Sequence, residues 1–335
     1  MIGRRLNFLL RCIFSTGLIV YILRKVDWTT LGHVLTRVHG GWAMAGCALT
    51  SLMTIGLAVR WQIFLRAQAF ELPFATVFFL TWAGQFFNSL LPGSTGGDVV
   101  KIYHLCRLAP NRKAAAASTV FVDRLTALIA LLLLAGIAFA IDPAPLRILS
   151  LQFYATPRAL VWILTLLTIG VFLVWLLFLV IRSTFWGGRL IRTLAAAKEK
   201  FSFDRRLLAA FLLALAMHVL YVVIAYLFAK ALGISITYLQ VLIIIPTIAF
   251  FVMLPVTING HGLRELLLIG YFTQMRITLS DHYEGGVREI AIALSLLLVT
   301  NDLLWSIPGG ICYLARFKSK SKDGSLDRCN SARSP

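Results

Sequence analysis

Residues Leu125–Ile141 read LTALIALLLLAGIAFAI and contain no Asp, Glu, Lys or Arg. A helix that crosses the hydrocarbon core of a bilayer needs about 20 mostly apolar residues. Extended back to Ala114, the segment exceeds that length. Ala159–Ile181 is a second long stretch without a charge. The whole chain follows suit. Of its 335 residues 59% are hydrophobic and only 14% charged, against roughly 25% charged in a soluble domain. A polar shell cannot be assembled from so few charges. The sequence therefore predicts an all-α, polytopic transmembrane helix bundle.

Working outward, further apolar segments run over Leu6–Leu23, Trp42–Leu65, Phe74–Leu91, Leu207–Leu232, Val241–Val256, Leu263–Met275 and Ile290–Leu314. The N-terminal segment follows Arg4 and Arg5, as a signal peptide would. It ends at Arg24-Lys25 without a small-residue cleavage site and reads as a retained span. Residues 1–317 form a single transmembrane domain on this reading, and 318–335 a basic, disordered cytoplasmic tail.

The net charge is +18. In a soluble protein such an excess points to nucleic acid; here the cations collect between apolar segments and in the tail, and no basic region is large enough to fold by itself. Arg182, Arg189, Arg192, Lys198, Lys200, Arg205 and Arg206 fill the longest polar loop. This is the positive-inside pattern, and its partners are anionic lipids. Loop and tail are both assigned to the cytoplasm. If Phe74–Leu91 crossed fully, Lys101, Arg107, Arg112 and Lys113 would lie outside, against the rule. Residues 74–107 are therefore read as a re-entrant hairpin from the cytoplasmic side. Residues 241–275 form either a second one or two true spans. The count is six to eight full spans with one or two re-entrant hairpins, N- and C-termini cytoplasmic, in the cell (inner) membrane.

Both short regions break in the same way. The first reads LPGSTGGDVVK, from Leu91 through Pro92, Gly96, Gly97 and Asp98 to Lys101. The second reads LPVTINGHGLRE, from Leu254 through Pro255, Asn259, Gly260 and Gly262 to Arg264 and Glu265. Proline stops a helix, and glycine permits the backbone angles other residues avoid. Non-helical backbone survives at membrane depth only where it is buried in protein or lines a wet cavity. Paired interrupted segments point to a transporter binding site. Each restart presents free N–H groups and a partial positive charge, suited to anions. Asp98 is expected to cap the first restart, and Lys101, three residues on, shares its face. Ordinary turns between spans are the plainer alternative.

Charges inside apolar stretches cost about 2.5–3.5 kcal/mol on insertion scales. Arg60 lies near a span end and is expected to snorkel to the interface. Asp123 and Arg124 are adjacent, face different sides of their helix, and each need another partner; a cavity role and an interhelical ion pair both fit. The same holds for Asn301 and Asp302. Asn88 reads as interhelical glue, and His218 as structural. Cys12, Cys47, Cys106, Cys312 and Cys329 are scattered, with no disulfide framework or metal-ligand spacing. No catalytic or cofactor motif is present, so the chain is read as a non-enzyme without cofactors.

The stretch from Phe87 and Asn88 through Pro92, Gly93, Gly96, Gly97 and Asp98 to Lys101 resembles the family of the lysylphosphatidylglycerol synthase transmembrane region. Asp123-Arg124, and Leu254-Pro255 with Gly260, Gly262, Arg264 and Glu265, resemble it as well. The resemblance extends over about residues 5–317. It implies a flippase-like membrane module. In multiple peptide resistance factors such a module accompanies a soluble synthase and is associated with flipping aminoacylated phospholipid. Stand-alone members are associated with lipid, hopanoid or polyprenyl-linked pathways. Two positions depart from the family pattern: Asn259-Gly260-His261-Gly262 stands where Gly-Gly-x-Gly is more frequent, and Lys101 where arginine is. No synthase domain follows within the sequence, so aminoacyl transfer is not carried over.

The expected function is a lipid flippase or lipid-linked carrier translocase. Asn88, Gly96, Gly97, Asp98, Lys101, Asp123, Arg124, Asn259, Gly260, Gly262, Arg264 and Glu265 form its headgroup site. Lys101, Arg124 and Arg264 would attract phosphate; Asp98, Asp123 and Glu265 would tune them and hold an amine. The partners are membrane lipids with anionic or phosphate-bearing headgroups, together with a second copy of the chain or a separate lipid-synthesis enzyme. The alternatives are an intramembrane lipid-modifying enzyme using Asp98, Asp123 and His261, or a scaffold for a separate synthase.

Overall fold

A computed structural model describes residues 24, 27–90, 96–141, 205–253, 260, 262–278 and 286–322. The segments expected at Leu6–Leu23 and Ala159–Ile181 lie outside the described residues, as do the basic loop up to residue 204 and the end of the tail.

Nine α-helices are described: α1 (Trp28–Thr36), α2 (Gly40–Ala67), α3 (Phe74–Leu90), α4 (Gly96–Leu108), α5 (Lys113–Ile141), α6 (Arg205–Ala231), α7 (Tyr238–Met253), α8 (Leu263–Gln274) and α9 (Val287–Lys322). No strand occurs among the described residues. Among the described residues four stretches are long and apolar enough to cross a membrane: Gly40–Ala67, Pro110–Ala138, Arg205–Ala231 and Val287–Ala315. The other helices are shorter. At about 1.5 Å per residue, α3 and α7 reach roughly 25 Å, and α4 and α8 roughly 20 Å, less than the ~30 Å hydrocarbon core.

Among the described residues, buried side chains form two clusters, one around each short pair. Trp61 and Leu65 of α2 meet Val77 and Leu80 of α3, Leu105 of α4, and Ala116 and Val120 of α5. The second cluster joins α1, α6, α7, α8 and α9 through residues such as Val34, Phe228, Ile244, Leu268, Phe272 and Ile290. Between them α2 and α6 run in opposite directions, with Gly46 facing Phe228 and Gly56 facing Met217. In lipid, where tails are as apolar as leucine, such close contact at small residues replaces the hydrophobic drive of soluble folding. Large apolar side chains such as Leu133, Ile137, Leu212, Leu304 and Ile311 remain exposed along the long helices, the surface a bilayer covers.

Helix α1 was not anticipated. Asp27 caps it, accepting from Thr29 N at 3.0 Å and from the Thr29 and Thr30 hydroxyls at 2.6 and 2.7 Å. Those bonds, the Thr29 hydroxyl first, hold its carboxyl down to about 2. The backbone N–H of Asp27 donates to Glu289 of α9 at 3.2 Å, tying this small helix to the last long one.

Candidate functional site

The break between α3 and α4 brings two backbones together. A Cβ on Gly97 would sit 2.2 Å from the carbonyl oxygen of Gly84, so only glycine allows this approach. Gly97 N–H donates to the Asn88 side-chain oxygen at 2.8 Å. Asn88 therefore joins α3 to the start of α4, in keeping with its reading as interhelical glue. The expectation that Asp98 caps this helix is corrected: its carboxylate turns to α5, where Arg124 Nε and Nη2 donate to it at 2.8 and 3.1 Å. A full guanidinium fork outcompetes a local N–H as a partner.

Asp123, beside Arg124, takes a different cation. Arg60 of α2 donates to it through Nε at 2.7 Å and Nη2 at 3.2 Å. The side chains are 6% and 9% exposed. Snorkelling of Arg60 to the interface is thus overturned: a carboxylate on a neighbouring helix satisfies the guanidinium within the bundle, so it need not reach water. Both adjacent charges form interhelical pairs, one buried and one open, since Arg124 is 46% exposed. Lys101 of α4 is within electrostatic reach of both pairs. It is buried, with Nζ 4.5 Å above the centre of the Trp61 ring, and it interacts electrostatically with Asp123 and Asp98.

At the second break Gly260 and Gly262 have φ of +76° and +85°, the left-handed region that glycine enters without strain. Val252 fills the place a Gly260 side chain would need. Gly262 N–H donates to Glu265 at 2.6 Å, so Glu265 closes the first turn of α8 from within. The other Glu265 oxygen accepts the Ser295 hydroxyl of α9 at 2.5 Å. Arg264 is only 3.5 Å from Glu265 and interacts electrostatically with Asp302 of α9 and Tyr221 of α6. Asn259 and His261 lie outside the described residues.

Asn88, Gly96, Gly97, Asp98, Lys101, Asp123 and Arg124 thus come together around α4. Gly260, Gly262, Arg264 and Glu265 gather at the start of α8. Between these groups runs a thread of polar contacts. Asn301, next to Asp302 in α9, donates to Thr50 at 2.9 Å. Thr54 accepts Trp305 Nε1 at 2.7 Å and donates to Gln85 of α3 at 3.2 Å. Trp82 stacks on Trp305 at 5.4 Å and donates to its carbonyl. Asn301 was singled out from the sequence. Thr50, Thr54, Gln85, Trp82 and Trp305 were not, although polar residues at i and i+4 on an apolar span were a legible signal. His218 bonds the Ala127 carbonyl at 3.0 Å, joining α6 to α5 as a structural residue does.

Long apolar helices, broken short pairs and ion pairs held among them define a multi-pass integral membrane protein. The chain belongs to the family described as the lysylphosphatidylglycerol synthase TM region, which matches residues 8–282. That span takes in both breaks and stops short of α9. A curated relative, UPF0104 membrane protein MJ1595 of Methanocaldococcus jannaschii, is 26% identical over 113 residues, 33% of this chain and 34% of that one. The matched region thus spans about a third of the relative's length.

Proposed function

We propose that the protein is a non-catalytic membrane lipid flippase, or a lipid-linked carrier translocase, that moves a phosphate-bearing headgroup between leaflets. The observation that carries this reading is the pair of interrupted helices, each with cations at its restart: Lys101 with Arg124 at one, Arg264 at the other. Polar side chains lie between them: Thr54 beside Gln85, and Thr50 bonded to Asn301, the neighbour of Asp302. A headgroup would travel along such a path while its tails stay in lipid. Membership of the family supports the same reading.

On this reading α3 and α4 form a re-entrant hairpin entered from the cytoplasm, α7 and α8 a second interrupted pair, and both termini are cytoplasmic in the cell membrane. No nucleotide-binding motif occurs in the sequence, so a lipid gradient or coupled ions would drive movement. Asp98 and Asp123 are each committed to an arginine fork. That favours headgroup positioning over acid–base catalysis by these carboxylates. The test is leaflet exchange of fluorescent lipid in proteoliposomes: exchange above empty liposomes supports the proposal, and none across several lipid classes contradicts it.

A further inference from the structure

We infer that the corner where Lys101 lies against Trp61 receives one singly charged phosphodiester of a lipid headgroup. This deepens the flippase reading and rests on it for the source of the phosphate. The argument begins with charge. Among the described residues three cations, Arg60, Lys101 and Arg124, meet two carboxylates, Asp98 and Asp123. Arg60 and Asp123 neutralise each other, as do Arg124 and Asp98. Lys101 is left over. Its residue is 9% exposed, and its ammonium has no hydrogen-bond acceptor or ion-pair partner among the described residues beyond the Trp61 ring face. A buried charge is costly unless it is paired and hydrogen-bonded. Among the described residues the corner is one anion short.

A second, independent observation lies on the same indole. Trp61 is fully buried, and its Nε1–H has no hydrogen-bond partner among the described residues. Buried indole N–H groups ordinarily find one. Two donors unsatisfied among the described residues, one carrying charge, thus share one ring. Arg124, nearly half exposed, lies on the open side of the cluster.

The count sets the class of anion. The net +1 of the described residues is balanced by a phosphodiester, which carries one negative charge. A phosphomonoester carries about −1.5 to −2 near neutral pH and would leave an excess. The ammonium has three donors and no acceptor, matching the several oxygens of a phosphate.

The experiment uses the full chain in detergent. Binding of dihexanoyl phosphatidylglycerol, dihexanoyl phosphatidate, inorganic phosphate and chloride is measured by calorimetry. The diester is expected to bind at one site per chain and more tightly than the other three. Lys101→Met should weaken it by about ten- to a hundredfold, the range of a charged hydrogen bond. Lys101→Arg should stay close to wild type. Trp61→Phe keeps a ring for packing but deletes the N–H, and should weaken the diester by about threefold or more. It carries the test alone if Lys101→Met does not fold. Diester binding unchanged in both variants overturns the inference. So does saturation by phosphate or chloride at equal affinity, which makes the corner a free-anion site, and so does tighter binding of phosphatidate. Leaflet exchange separates the two readings. Binding without exchange leaves the site standing and removes the flippase. Exchange intact in Lys101→Met removes the site and leaves the flippase.

Discussion

Arg60 on α2 and Asp123 on α5 form a two-pronged ion pair, 2.7 Å from Nε to Oδ1 and 3.2 Å from Nη2 to Oδ2, inside the bundle. Removing either member leaves an uncompensated buried charge. Arg60→Met or Asp123→Leu alone should cost about 3–5 kcal/mol, and the double replacement far less than their sum. Denaturation of the solubilised protein in a double-mutant cycle measures this. Arg124→Gln opens a half-exposed pair and should cost no more than about 1 kcal/mol. Equal effects at the two pairs would contradict the assignment of one as buried and one as open.

The close approach of α3 and α4 makes an asymmetric prediction. A methyl on Gly97 would meet backbone atoms of Gly84 at 2.2–2.7 Å, whereas one on Gly84 would meet Gly97 Cα at 3.4 Å. Gly97→Ala should therefore destabilise by about 1–3 kcal/mol or more, and Gly84→Ala much less. Thermal unfolding of the two variants side by side is the check.

Adjacent residues on α8 should separate stability from transport. Glu265 closes the helix start and holds Ser295 of α9, so Glu265→Ala should lower the melting temperature. Ser295→Ala strands one bond and should cost about 1–3 kcal/mol. Among the described residues Arg264 lies 3.5 Å from Glu265 and within electrostatic reach of Asp302. Arg264→Gln should leave melting close to wild type while lowering lipid exchange. If Arg264→Gln melts as low as Glu265→Ala, Arg264 is a structural residue.

Cysteine substitutions near Arg107 and near Lys198, treated with a membrane-impermeant reagent, should label from the same, cytoplasmic, side. Labelling near Arg107 from outside would convert the α3–α4 hairpin into full crossings and remove the re-entrant topology.

Much of this architecture was legible because membrane helices announce themselves by length and composition. The segment read as Phe74–Leu91 is α3 at Phe74–Leu90, and Leu207–Leu232 is α6 at Arg205–Ala231. Polar or charged ends were the uncertain part. Arg205 and Arg206 continue α6, Tyr238 begins α7 three residues before the expected Val241, and α9 runs on to Lys322, because a helix does not stop where its side chains turn polar. Helix α1 was missed although Asp27, Thr29 and Thr30 spelled its cap, since an apolarity search passes over a short amphipathic helix of nine residues. The glycine breaks were read from Pro92, Gly97, Gly260 and Gly262, whose backbone consequences are local.

Partnership was the illegible part. Asp123 plainly needed a cation, but nothing local distinguishes Arg60, 63 positions away, from other candidates. The link from Trp305 to Thr54, 251 positions apart, is likewise a product of packing. One-dimensional pattern shows that a charge is costly; only the assembled bundle shows which neighbour compensates it.

The central claim is that the charges at the two helix restarts handle a lipid headgroup. Leaflet exchange of fluorescent phosphatidylglycerol should be measured in proteoliposomes holding wild type, Lys101→Gln, Arg264→Gln, and Arg316→Gln with Lys318→Gln as the tail control. The account predicts exchange above empty liposomes for wild type and the tail variant. It predicts a several-fold loss for each restart variant at unchanged melting, because a phosphate contact in a low-dielectric groove exceeds the ~0–1 kcal/mol of an exposed pair. Restart and tail variants that exchange lipid equally well would contradict it, and α4 and α8 would then simply follow connecting loops.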